Sequence, residues 1–136
     1  MNEKDELLEL YLRESDLLFS CYEMMGRLLD KKQIEKRVKE LELEKIYIYG
    51  GGFLGLQLYR AVENLLTVIA VVDKSGGLIH DLPEIPVMGY ERFCQEYAGE
   101  TVIVTPMKHY QRIYEDLSQF VPKEKIMFLG EFQGGE

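Results

Sequence analysis

Positive charge is scarce in this 136-residue chain, which carries 16 lysine and arginine residues against 24 aspartate and glutamate residues. The formal net charge of −8 argues against a nucleic-acid backbone or an anionic membrane surface as the main partner. Long apolar runs are also missing, since none approaches the roughly 20 residues that a membrane-spanning helix needs. The N-terminus, Met1–Glu6, is charged and leads into amphipathic sequence, so it does not have the pattern of a signal peptide.

Cysteine is equally sparse, with only Cys21 and Cys94. They lie far apart without C-x-x-C spacing, which favours reduced thiols over a disulfide framework. The sequence contains no recognisable Ser/His/Asp set, Cys/His pair or metal-ligand spacing, and it therefore predicts no catalytic residues and no metal site. We expect a cytoplasmic protein whose partner is a small molecule.

Proline is absent from residues 2–43, and Gly26 is the only glycine there. Apolar residues recur at spacings of three, four and seven, which predicts a helical extension over residues 1–43. One helix of about 40 residues would be roughly 60 Å long, so we expect a break near Ser15 or within Asp30–Gln33. The large apolar side chains of residues 7–29 either dock on the domain or form the seam of a homodimer, and their number favours the dimer.

Strand and helix patterns alternate over residues 44–132, which predicts one Rossmann-like α/β domain with a parallel sheet. We expect about five strands in the order 3-2-1-4-5. The strand patterns cover residues 46–49, 67–72, 85–87, 101–105 and 125–129, and the helical patterns cover 53–64, 90–97 and 109–120. Pro86 has no backbone N–H, so the third strand should lie at an edge. Residues 133–136 are predicted to be a disordered tail.

Glycine clusters where the first strand pattern ends, within Ile46–Gly55. Gly50, Gly52 and Gly55 have the G-x-G-x-x-G spacing that lets a turn hold a phosphate at a helix N-terminus. In that role Gly50 permits the tight turn and Gly52 lets a pyrophosphate approach the backbone. Gly55 then allows the helix to pack closely on the sheet. A turn that is glycine-rich only for packing is the alternative.

Further candidate cofactor-binding residues lie in this turn or follow neighbouring strands. They are Gly51, Phe53, Leu54, Asp73, Lys74, Thr105 and Pro106. Phe53 and Leu54 are expected in the core or at the lip of the pocket.

Asp73 ends the second strand roughly 20 residues beyond the glycines, where a dinucleotide-binding unit places the carboxylate that accepts from ribose hydroxyls. That position favours a ribose without a 2′-phosphate, and the adjacent Lys74 would partly offset the repulsion. A turn-starting aspartate is the alternative.

Thr105, a possible hydrogen-bond donor, and Pro106 end the fourth strand and should face the same crevice. The pattern favours an exposed His109 in the first turn of the next helix over one that lines the pocket.

Four segments, at residues 46–55, 68–73, 85–89 and 102–106, resemble a family of small Rossmann-like domains. These domains occur in bacterial sugar acetyltransferases, as the N-terminal nucleotide-sugar domain, and at the C-terminus of some sugar C-methyltransferases. The acetyltransferase-like domains usually place a histidine after the glycine turn, where this chain has Phe53 and Leu54. The resemblance implies a nucleotide ligand and a link to sugar or polysaccharide biosynthesis.

Together these observations predict a module that binds NAD or a nucleotide-diphospho-sugar without a complete catalytic site of its own. An alternative is a small oxidoreductase or sugar-modifying enzyme that a partner chain completes. A second alternative is a structural oligomerisation domain whose glycine turn binds nothing.

Overall fold

The computed structural model describes residues 30–73, 84–106 and 109–133. Its centre is a five-stranded sheet that is parallel throughout, with the order β3-β2-β1-β4-β5. The strands are β1 (Lys45–Tyr49), β2 (Thr67–Val72), β3 (Val87–Met88), β4 (Thr101–Val104) and β5 (Ile126–Phe128). The predicted α/β fold class and strand order are confirmed.

Helices connect the strands and cover both faces of the sheet. They are α1 (Lys31–Glu40), α2 (Phe53–Val62), α3 (Tyr90–Glu96), α4 (Tyr110–Leu117) and the one-turn α5 (Leu129–Phe132), with a 3₁₀ turn over Lys123–Lys125. None of the helices in the described ranges has the length and apolar content that a bilayer crossing requires.

The core has two halves, one on each face of the sheet, because successive residues of a strand point to opposite faces. On one face Ile46 and Ile48 of β1 pack with buried residues of α1, α2 and α5. On the other face Tyr47 and Tyr49 pack with buried residues of α3 and α4, including the fully buried Phe93. All four of these β1 residues are therefore buried, as is typical of a parallel strand that is covered on both sides.

Helix α1 belongs to this core, because its Ile34 and Val38 are 1% and 6% exposed. The Asp30 side chain caps its start by accepting a hydrogen bond from the Gln33 N–H. Residues 31–40 of the predicted extension therefore pack on the domain. Residues 7–29, on which the predicted dimer depends, lie outside the described residues.

Helix α1 ends in a Schellman motif without the glycine that this motif favours. The Leu43 N–H donates to the Val38 carbonyl, and the Glu42 N–H donates to the Lys39 carbonyl. Val38 belongs to the apolar cluster and Leu43 packs against it, in keeping with the hydrophobic contact that often accompanies the motif. Glu42, with φ of 52°, occupies the left-handed position that costs a side chain free energy.

We expect Glu42→Gly to raise the free energy of unfolding by about 0.5–1 kcal/mol, because glycine adopts positive φ without steric cost. Urea denaturation followed by circular dichroism measures the change. Glu44→Gly is the matched control, since Glu44 is exposed and its φ is not positive, and it should lower stability. A loss of stability in both variants would contradict the assignment of strain to Glu42.

Several predicted boundaries shift at the ends of elements. Strand β3 is Val87–Met88 rather than 85–87. Pro86 precedes the strand, and its carbonyl accepts from the Val71 N–H. Helix α2 ends at Val62 rather than 64.

The C-terminal end differs most from the sequence prediction. Helix α5 replaces the end of the predicted last strand, and Gln133, assigned to the disordered tail, is only 4% exposed. Arg37 of α1 holds the end of α5 in place. Its Nε donates to the Phe132 carbonyl at 2.7 Å, and its Nη2 donates to the Glu131 carbonyl at 3.0 Å. These charge-assisted hydrogen bonds hold the end of α5 against α1. Residues 134–136 lie outside the described residues.

Candidate functional site

The turn after β1 requires glycine at its first position. Gly50 has φ of +111°, and its N–H donates to the Val72 carbonyl at 2.8 Å, which ties the turn to the end of β2. A Cβ atom on Gly50 would lie 2.6 Å from Thr105 Oγ1 and 2.7 Å from Pro106 Cδ. Both the backbone conformation and the crowding beside β4 therefore exclude a side chain here.

Gly55 permits the close approach of α2 to the end of β1. A Cβ atom on Gly55 would overlap the Gly50 carbonyl oxygen, which is a backbone atom and cannot rotate away. The third glycine of the motif therefore has the packing role predicted from its spacing.

Gly52 differs from both, because a Cβ atom there would meet no described atom within 4 Å. It is the exposed N-cap residue of α2, with extended backbone and without a side-chain cap hydrogen bond. The first N–H groups of a helix have no intrahelical acceptor, and the first turn of α2 carries no acidic side chain. The start of α2 thus offers backbone donors and the positive end of a helix dipole to an anion.

Thr105 supports the turn from within the protein. Thr105 is only 3% exposed. Its hydroxyl donates to the Tyr49 carbonyl at 3.0 Å, and the Gly50 carbonyl is a second, longer acceptor at 3.3 Å. The sequence suggests that this hydroxyl donates to a ligand, whereas in the structure it donates to the carbonyl of Tyr49, the last residue of β1. Thr105 therefore positions the turn.

A cleft of about 410 Å³ opens beside the turn, at the carboxyl ends of β1, β2 and β4. Its lining residues are Tyr49, Gly50, Val72, Asp73, Pro106, His109, Arg112, Ile113 and Asp116. The chain runs from β1 outward to β2 and β3, then returns to β4 on the other side of β1. The cleft therefore lies at the point where the strand order reverses, the usual ligand position in open parallel sheets.

Of the residues predicted from the sequence, Gly50, Asp73 and Pro106 line this cleft. Phe53 is 48% exposed at the first position of α2 and is not among the residues that line the cleft. Leu54 is buried in the core cluster with α1, so its side chain packs under the helix. Gly51 is buried within the turn, and Lys74 lies outside the described residues.

The sequence prediction missed the contribution of α4, which forms one wall of the cleft. His109, Arg112, Ile113 and Asp116 have spacings of three, four and seven, and so share one helix face. That spacing is visible in the sequence, but which face meets the glycine turn depends on how α4 packs. His109 is exposed, as expected, but the expectation that it does not line the pocket is wrong, because it lines the cleft from the N-cap position of α4 with φ of 59°. Histidine is among the residues that adopt this conformation more often than most.

Tyr49, which lines the cleft, forms an aromatic pair with Tyr90, with ring centroids 6.2 Å apart. Burial, and after it the negative charge of Asp116, raises the pKa of the Tyr49 hydroxyl above its usual value. Burial, followed by the influence of Cys94, raises the pKa of Tyr90 to about 12. Both hydroxyls are therefore neutral near pH 7. Tyr49 gives the cleft a neutral polar group beside the carboxylates of Asp73 and Asp116.

Among the described residues, no group of three or more histidine, cysteine, aspartate or glutamate side chains is placed to hold a metal ion. Comparison of the chain with protein-family models, with curated proteins and with solved structures found no match. Any assignment of function therefore depends on the fold, on the glycine turn and on the residues of the cleft.

Proposed function

We propose that this chain is a nucleotide-binding module whose ligand is NAD or a nucleotide-diphospho-sugar. In this proposal the ligand's phosphates bind the N–H groups at the start of α2, over residues 50–55. The observation that carries the proposal is the contrast among three glycines. Gly50 and Gly55 are sterically required, whereas Gly52 is open and exposed beside a cleft at the strand-order reversal.

The position of Asp73 supports a ribose subsite next to the phosphates. The Val72 carbonyl accepts a hydrogen bond from the Gly50 N–H and so fixes the glycine turn. Asp73 is the residue that follows Val72, which places its backbone next to that turn. The Asp73 N–H donates to the Met88 carbonyl at 3.1 Å, which ties its backbone to β3. A carboxylate held at this point can accept from both hydroxyls of a ribose without a 2′-phosphate.

The biological setting of this proposal comes from the motif resemblance described above. Rossmann-like domains with these segments bind nucleotide sugars or accompany sugar-modifying enzymes. We propose that the module serves sugar or polysaccharide biosynthesis and that any reaction is completed outside these residues.

A thermal-shift screen with NAD, NADP, UDP, UDP-sugars and ADP tests the proposed function. A ligand present at 100 times its Kd stabilises the folded protein by about 2.7 kcal/mol, which raises the melting temperature measurably. We expect a shift with at least one of these nucleotides and a smaller shift with NADP than with NAD. No shift with any of them at millimolar concentration would contradict nucleotide binding and favour a structural oligomerisation domain.

We expect Asp73→Ala to weaken binding of the ligand found in the screen by roughly 1.5–3 kcal/mol, the range for hydrogen bonds to a charged group. Isothermal titration calorimetry measures the effect. Glu63→Ala is the matched control, because Glu63 is an exposed carboxylate at the opposite end of α2 from the glycine turn. If Asp73→Ala binds the ligand like the parent chain, the ribose does not contact this carboxylate.

A further inference from the structure

The cleft combines two carboxylates with one fixed positive charge. Asp73 follows β2 and Asp116 lies on α4. Among the described residues that line the cleft, Arg112 is the one with a lysine or arginine side chain. The chain as a whole has a net charge of −8. Among the described parts of the cleft, an anionic ligand finds favourable charge at the start of α2 and at Arg112.

Arg112 is exposed, and no described carboxylate lies within ion-pair distance of it. Two other described arginines do have charged partners: Arg37 contacts Glu40 and the end of α5, and Arg92 contacts Glu96. Asp116 is one helical turn from Arg112, yet the two side chains do not form an ion pair in the structure. The guanidinium is thus available to a ligand in the cleft.

We propose that Arg112 binds the second phosphate of a nucleoside diphosphate, either free or as the diphosphate bridge of a larger ligand. This inference rests on the proposed function, in which the first phosphate binds the N–H groups of α2. Arg112 belongs to a different element, α4, and lines the same cleft as Gly50. Its planar fork of donors suits two oxygens of one phosphate.

Binding of mono- and diphosphates to the parent chain and to Arg112→Gln tests this inference. Adenosine and uridine 5′-mono- and diphosphates are titrated by calorimetry in the presence of EDTA, so that no divalent cation neutralises the phosphates. In the parent chain the diphosphate should bind roughly ten- to a hundredfold more tightly than the monophosphate of the same base, as a charge-assisted contact predicts. Arg112→Gln should remove most of that preference and change monophosphate binding by less than about threefold.

Two control variants separate the contact from general charge effects. Arg60→Gln removes an exposed positive charge from α2 that does not line the cleft, and it should keep the diphosphate preference. Arg112→Lys keeps the charge without the fork, and it should restore only part of the preference. Unchanged melting temperatures would show that each variant is folded.

The outcomes distinguish this inference from the proposed function. Binding of nucleotides without a diphosphate preference would overturn the role of Arg112 and leave the proposed function standing. An equal loss of mono- and diphosphate binding in Arg112→Gln would do the same. If the parent chain binds none of the four nucleotides, this inference fails, and the proposed function fails with it when the thermal-shift screen is negative as well.

Discussion

Gly55→Ala is expected to lower the free energy of unfolding by about 3 kcal/mol, the upper part of the range for overpacking a well-packed site. The added Cβ would overlap the Gly50 carbonyl oxygen, so α2 must move away from the end of β1. That movement loosens the packing of Leu58 and Val62, the fully buried residues by which α2 contacts the core. Urea denaturation followed by circular dichroism measures the change.

Gly52→Ala is the matched control, because the same methyl group would meet no described atom within 4 Å. Its cost should be at most about 1 kcal/mol, since glycine is only a somewhat better N-cap residue than alanine. Equal stability of the two variants would contradict the close approach of α2 to β1. It would also remove the packing explanation of the third glycine.

Gly52→Asp is expected to abolish nucleotide binding while it stabilises the protein. Gly52 has the extended backbone of an N-cap residue, and an aspartate there would accept from the N–H groups of the first turn. Its negative charge would also interact favourably with the positive end of the helix dipole. We therefore expect a gain of about 0.5–1 kcal/mol in the free energy of unfolding. The same carboxylate would occupy the donors that a phosphate needs and would repel the phosphate.

Gly89→Asp supplies the control for that prediction within the same chain. Gly89 is the N-cap residue of α3, it is extended and exposed, and a Cβ atom there would also meet nothing within 4 Å. This variant should gain less stability than Gly52→Asp, because Glu91 already lies in the first turn of α3, and it should keep nucleotide binding. Unchanged binding in Gly52→Asp, or an equal loss in both variants, would contradict a phosphate site at α2.

The fold could be predicted because its determinants are local in the sequence. The β2 range 67–72 agrees in sequence and structure, and the order of the sheet is the one expected of a doubly wound fold built from repeated βα units. The different tasks of Gly50 and Gly55 were also visible in their spacing, because a tight turn and a close helix are geometric needs of this motif.

The remaining features depend on residues that meet only after folding. Arg37 holds α5 through contacts that span 94 and 95 residues of sequence, so no local pattern around Gln133 could indicate them. The Thr105 hydroxyl was expected to face a ligand, but β4 lies beside β1 and its end reaches the Tyr49 carbonyl. Arg112 and Asp116 join the cleft because of how α4 packs on the sheet.

Amide chemical shifts of the ¹⁵N-labelled protein, followed during titration with the nucleotide selected by the thermal-shift screen, test the central claim most directly. We predict that the resonances of Gly52, Phe53 and Leu54 move and saturate together, because a phosphate binds their N–H groups. The resonances of Gly89 and Tyr90, at the similar start of α3, should stay in place. Saturation of the protein with nucleotide while the α2 resonances remain unmoved would contradict the account.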